Sequence, residues 1–129
     1  MKPKTHAIVL DGKRHIWRVE RLWRLSGDLE PFDYVVADFD GFDEDHWYCG
    51  VNTPTIRSVL EHAQRMRKAD LDQPIILSDT GLVMDGIHRI CKAHLEGRAT
   101  VRAVRFAVTP APDVIEDYTR PSHPGDAFT

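Results

Sequence analysis

The clearest periodicity in the chain lies in "NTPTIRSVLEHAQRMRKADL", residues 52–71. Ile56, Val59, Leu60, Ala63 and Met66 recur at helical spacing, which predicts a helix over 54–69 whose apolar stripe packs into a core. Thr53 is the expected cap, and Pro54 suits the first helical position. Glu61 precedes Arg65 by four residues, the favourable order. Arg65, Arg67 and Lys68 complement the C-terminal end of the helix dipole.

Upstream, two apolar runs flank Asp11-Gly12 in "AIVLDGKRHIWRV", a strong hairpin signal. "ERLWRLSG" carries Leu22, Trp23 and Leu25 and predicts a short helix ending at Gly27. "DYVVAD" reads as a short strand. Downstream, "QPIILSDTGLVMDG" predicts strand, turn and strand, with the turn at Asp79-Thr80-Gly81. A second helix follows, with Ile87, Ile90, Cys91, His94 and Leu95 on its apolar face and Gly97 at its C-terminal end. On that face His94 is expected to be a satisfied core histidine, and Cys91 to be buried and inert. "TVRAVRF" is a last strand. The tail from residue 109 holds Pro110, Pro112, Pro121 and Pro124 and reads as an extended arm or a partly disordered extension. These elements make an α+β class, with one small mixed-sheet domain over 1–108 and a proline-rich extension over 109–129.

Composition narrows the class further. With 129 residues and 42% hydrophobic content, the chain suits one domain with one sizeable core. No apolar stretch approaches a membrane span, and the charged first residues lack the apolar run of a signal peptide, so a cytoplasmic protein with no membrane partner is expected. Cys49 and Cys91 have no metal-ligand spacing. A net charge of −3 argues against a protein that coats DNA. Acidic residues concentrate before residue 50 and basic ones recur from Arg57 to Arg105. That asymmetry suits an anionic ligand in the second half, and suits an ordinary mixed-charge surface as well.

Candidate chemistry gathers where a strand becomes a helix, at "MDGIHR", residues 84–89. Gly86 lets the backbone approach a ligand closely. The first N–H groups of the helix have no partner within it and favour an anion. Arg89 offers a planar fork suited to phosphate oxygens, on what helical spacing makes the polar side. His88 offers a donor or a proton carrier near neutral pH. The plainer reading of the same residues is a turn and cap with His88 and Arg89 exposed, and spacing alone favours it.

The stretch "PIILSDTGLVMDGIHRICKAHLEGRATVRAVRF" resembles the second half of the ParB/sulfiredoxin superfamily domain, in which a strand ends in a Gly-x-x-Arg box that opens a helix. The box here is Asp85-Gly86-Ile87-His88-Arg89, similar to the Gly-Cys-His-Arg of sulfiredoxins and the Asp-Gly-His-His-Arg of the family's free-serine kinases. The resemblance covers roughly residues 15–108 and is strongest over 53–106. The fuller pattern is similar to stand-alone bacterial ParB-like proteins. What it implies is a nucleoside triphosphate site, with Gly86, Ile87, His88 and Arg89 around the phosphates. Ile87 stands where sulfiredoxins carry cysteine, which argues against sulfinic acid repair. The tail is too short for the helix-turn-helix and dimerisation domains of a segregation ParB, so chromosome partition is not expected.

A second unusual segment is "ADFDGFDEDHWYCG", residues 37–50. Its carboxylates could hold Mg²⁺ beside a triphosphate, with Asp43 and Asp45 as ligands, or one could act as a base. A solvent-facing acidic loop with Trp47 as a core anchor is the equal alternative. The resemblance to the serine kinases makes Glu44 the candidate base, by location. Asp85 and His88 complete the candidate catalytic set.

The resulting expectation is a nucleoside triphosphate-binding domain, acting as a small hydrolase or phosphotransferase on ATP or CTP with Mg²⁺ and a small-molecule acceptor. The alternatives are a non-catalytic nucleotide-sensing module with a protein partner, and a ParB-like DNA nuclease. The negative charge and the lack of a basic stripe with interleaved aromatics count against the nuclease.

Overall fold

The computed structural model describes residues 4–50 and 52–118. Strands β1 (Thr5–Leu10) and β2 (Lys13–Arg18) form the expected hairpin. Its two turn residues, Asp11 and Gly12, have φ of 53° and 72°, the left-handed pair that a two-residue hairpin turn demands. Helix α1 (Val19–Ser26) follows directly and buries Leu22. Strand β3 (Phe32–Val35) passes into a single 3₁₀ turn at Val36–Asp38, which shortens the strand read from "DYVVAD".

Helix α2 (Ile56–Lys68) begins later than its sequence suggests. The cap is Thr55, not Thr53, because Thr55 and Ser58 satisfy each other. The Thr55 Oγ1 accepts the Ser58 N–H at 3.1 Å, and the Ser58 Oγ accepts the Thr55 N–H at 2.9 Å. Pro54 therefore precedes the helix. A second correction is larger: α2 buries none of its residues, so its apolar stripe is not core.

Strands β4 (Ile75–Leu77) and β5 (Val83–Asp85) pair antiparallel, helix α3 (Ile87–Leu95) follows at once, and β6 (Thr100–Arg105) runs parallel to β4. The order β3-β6-β4-β5 makes a four-stranded mixed sheet. Both faces of its centre are covered, as the unbroken apolar run of β4 requires. Ile75, Leu77, Val101 and Ala103 pack with Ile90 and Ala93 of α3. Ile76, Met84 and Val104 pack instead with Trp17 of β2 and Leu22 of α1. His94 and Leu95, expected in the core, are exposed at the far end of α3, and the His94 ring lies 4.8 Å from that of Phe42.

Part of the proline-rich segment joins the fold. Strand β7 (Val114–Asp117) adds to β2 and completes a three-stranded sheet, β1-β2-β7. Trp17 donates its indole N–H to the Pro110 carbonyl at 2.7 Å, and the Asp113 carboxylate accepts the Arg18 N–H at 2.8 Å. The rest of the extension, from residue 119 onward, lies outside the described residues. The described residues thus form a small mixed α+β domain with two sheets and three α-helices, none of them long and apolar enough to cross a membrane.

Candidate functional site: a strand-to-helix turn between two charged cavities

Asp85 closes β5, and Gly86 turns the chain into α3 with φ of 114°. Few L side chains tolerate that conformation. Space forbids one as well: a Cβ at Gly86 would lie 2.5 Å from Ile75 Cγ2. The demand for glycine thus comes from β4 packed beneath the turn. The Gly86 carbonyl accepts the N–H groups of Arg89 and Ile90, so two of the first N–H groups of the helix are already satisfied.

Beside this turn lies a buried ionic knot. The Asp85 carboxylate accepts the Lys4 ammonium at 3.0 Å, the Trp23 indole N–H at 2.7 Å and the Arg89 Nη2 at 3.1 Å. Arg89 Nη1 donates to the Pro74 carbonyl at 2.8 Å. Burial would raise the Asp85 pKa, but Trp23, Lys4 and Arg89 together hold it below the usual carboxylate range. The side chains of Arg89 and Asp85 are 12% and 1% exposed, which corrects the placement of Arg89 on a solvent-facing side. Both oxygens of Asp85 are engaged, as suits a carboxylate that joins the N-terminal segment, α1, β5 and α3.

His88 belongs to a different cluster. Its Nε2 meets the His62 Nδ1 of α2 at 2.9 Å, one ring donating and the other accepting. The two imidazoles lie within 19° of coplanar, and the Trp47 indole covers them, with centroids 4.1 Å from His62 and 5.4 Å from His88. Trp47 is therefore half-buried against a histidine pair rather than set in the apolar core. Burial lowers the His88 pKa to about 4, with help from the neighbouring His62 and the cations Arg65 and Lys4. His62 is lowered too, by burial and by Arg65. At neutral pH the plate is uncharged, and it takes up protons only as the pH falls.

Two cavities flank the first turn of α3 and share no lining residue. One is a cleft of about 250 Å³ lined by Gly86, His88 and Arg89 together with Lys4, Arg65 and Lys68. The other, about 320 Å³, is acidic. Asp38, Asp40 and Glu44 line it with His6 and His46, and Ile87 and Val83 contribute its apolar part. The Tyr34 hydroxyl on its wall has a raised pKa, from burial first and then from Asp38 and Asp40. His6 is lowered to about 4 by burial and by His46, and its Nε2 is buried with no hydrogen-bond partner among the described residues.

The sequence-derived candidates therefore divide. Gly86, His88 and Arg89 come together at the basic cleft, while Ile87 and Glu44 face the acidic cavity. Asp45 accepts the N–H groups of Tyr48 at 3.0 Å and Gly50 at 2.6 Å, and these bonds, Gly50 foremost, lower its pKa. It caps its own loop, and Asp43 is exposed outside both cavities. Sequence reasoning missed Lys4, His6, His62 and Trp23, and it read Arg65 and Lys68 as dipole partners and as part of a basic second half, without placing them at this turn. Their convergence depends on contacts between distant segments.

The architecture defines the class, a small mixed α+β domain with charged cavities on either side of one strand-to-helix turn. Comparison with protein-family models, curated proteins and solved structures found no match.

Proposed function

We propose that the chain is a nucleoside triphosphate-binding domain of the ParB/sulfiredoxin kind, with the phosphates held in the basic cleft. The observation that carries this reading is the convergence of Lys4, Arg65, Lys68 and Arg89 on the N-terminal turn of α3. Four cations face one carboxylate, Asp85, so the cleft keeps an excess of positive charge. The helix dipole adds to it. Arg89 acts there chiefly as a fixed charge, because its donors already hold Asp85 and Pro74. Arg65 and Lys68 are exposed, with Arg65 Nη1 at 3.4 Å from His62 Nδ1, and in this reading both meet phosphate oxygens.

The acidic cavity gives this reading its chemistry. Glu44 lines the acidic cavity across the α3 turn from the cleft and is the candidate base towards a water or an acceptor hydroxyl in this reading. His88, neutral and bonded through Nε2 to His62, lines the cleft only. Hydrolysis and phosphoryl transfer both fit this arrangement. Mg²⁺ bound to ATP or CTP needs only one or two protein carboxylates besides the phosphates, and Asp38, Asp40 and Glu44 suit that role better than the loop-capping Asp45.

The test is calorimetric titration with ATP and CTP, each with and without Mg²⁺. Arg89→Ala cannot separate binding from folding, since it would unpair Asp85. Arg65→Ala/Lys68→Ala can, because both side chains are exposed. A charge-assisted contact is worth roughly 1.5–3 kcal/mol, so affinity should fall at least about tenfold. Equal affinity in the double variant, or no binding of either nucleotide to the wild type, would refute the reading.

A further inference from the structure

The most conspicuous feature outside the two cavities is the face of α2 that was expected in the core. The helix is capped at Thr55 and amphipathic along its 13 residues, yet Ile56 is 83% and Leu60 57% exposed. Beside this stripe, α2 and α3 enclose a groove of about 440 Å³. Ala63, Met66 and Leu95 form its apolar part, and Arg67, Lys92 and Glu96 its polar part. Leu95 is itself 74% exposed. Ile56, Leu60 and Ala63 stand at i, i+4 and i+7, so the stripe and the groove form one continuous surface. Contiguous exposed apolar surface of this kind marks an interaction site.

Charge selects the occupant. The Lys92 ammonium is fixed at the groove by the carbonyls of Arg67 at 3.0 Å and Ala69 at 2.7 Å, with no carboxylate in reach among the described residues. Arg57 and Arg67 likewise have no acidic partner among them. Glu96 is paired with Arg98 at 2.9 Å. The apolar face is thus edged by uncompensated positive charge. A second copy laid on the same face would bring these cations against their own equivalents. A flat lipid surface would leave the groove unfilled, whereas the side chains of a helix would enter it.

We propose that the groove between α2 and α3 receives an amphipathic helix with an acidic polar face from a partner protein. Leucine-sized side chains at helical spacing fill the groove over Ala63, Met66 and Leu95. Carboxylates on the flanks meet Arg57, Arg67 and Lys92. This interface is independent of nucleotide binding.

The probe is a fluorescein-labelled synthetic helix with leucines on one face and glutamates on the other, titrated with the full chain by fluorescence anisotropy. Its counterpart carries lysine in place of every glutamate. The glutamate peptide is expected to bind saturably and at least tenfold more tightly than the lysine peptide. Leu60→Glu and Leu95→Glu should each weaken it at least tenfold while circular dichroism and Tm stay unchanged, since both residues are exposed. Equal binding of the two peptides, or none, would overturn the proposal. So would a dimer in sedimentation that Leu60→Glu dissolves, which would give the face to a second copy. Adsorption of the wild type to anionic phospholipid vesicles, abolished by the same substitution, would give it to a membrane surface.

Discussion

Helices α2 and α3 both repeat apolar residues at helical spacing, but α3 places Ile90 and Ala93 out of solvent while α2 buries nothing. The difference lies in what each helix rests on. Helix α3 covers the centre of the four-stranded sheet, where Ile75, Leu77 and Ala103 meet it. Helix α2 lies against α3, which has already spent its apolar side on that sheet. Lys92 reaches across to the end of α2, and Leu95 extends past it into solvent. Spacing along a chain therefore states which face of a helix would leave water, and leaves open whether its own fold covers that face.

The comparison breaks most sharply on substitution. Ile90→Ala removes a side chain with no exposure and should cost about 2–5 kcal/mol in chemical denaturation. A loss below about 1 kcal/mol would mean that α3 is not the sheet's essential cover.

The seam between the helices sharpens it next. His88 titrates near 4 in the folded chain against 6.5 when unfolded, and His62 is lowered as well. Between those values the unfolded chain binds more protons, so stability is complete above about pH 6.5 and drains away as pH falls towards 4. Half-exposure of His88 limits its share to roughly 1–2 kcal/mol. Thermal melts across that window should show Tm falling with pH, and His88→Asn should flatten the slope. An unchanged slope would show that the His62–His88 contact contributes nothing. Buried His6, lowered to about 4 by its own surroundings, would then account for the fall.

The smallest effect falls on α2. Leu60→Ser should change stability by less than about 0.5 kcal/mol, apart from its small helix-propensity cost, because Leu60 is already solvated. A loss as large as that of Ile90→Ala would place α2 inside a core.

Local signals explain what was legible beforehand. Asp11-Gly12 names its hairpin turn, the apolar runs of β4 and β5 lie between turn residues, and Gly86 and Gly97 bound α3 closely. Non-local contacts explain what was not. Arg89 falls on the polar side of a helical wheel, but Pro74 and Asp85 lie against that side and take its donors. Trp47 reaches His62 and His88 from a loop without periodicity. His62 reads on its own as one more polar residue of α2. The cap moved from Thr53 to Thr55 because the reciprocal partner is a serine, which the usual glutamate or glutamine pattern passes over. Of the site, the turn was legible and the charges converging on it were not.

The pairing of Lys13 with Asp117 and of Arg14 with Glu116 also orders events in time. On the ribosome the first hairpin emerges long before β7 exists, and β2 must wait with one row of N–H and C=O groups open. An open edge of this kind is a template for pairing with other chains. The four-stranded sheet, complete at β6, can close earlier. Synthesis therefore passes through a nearly finished domain with one adhesive strand, and β7, which follows the other strands in the chain, seals it. The Lys13–Asp117 pair spans 104 residues, and contacts between such distant residues form after local ones, so docking of β7 should be a late step of folding.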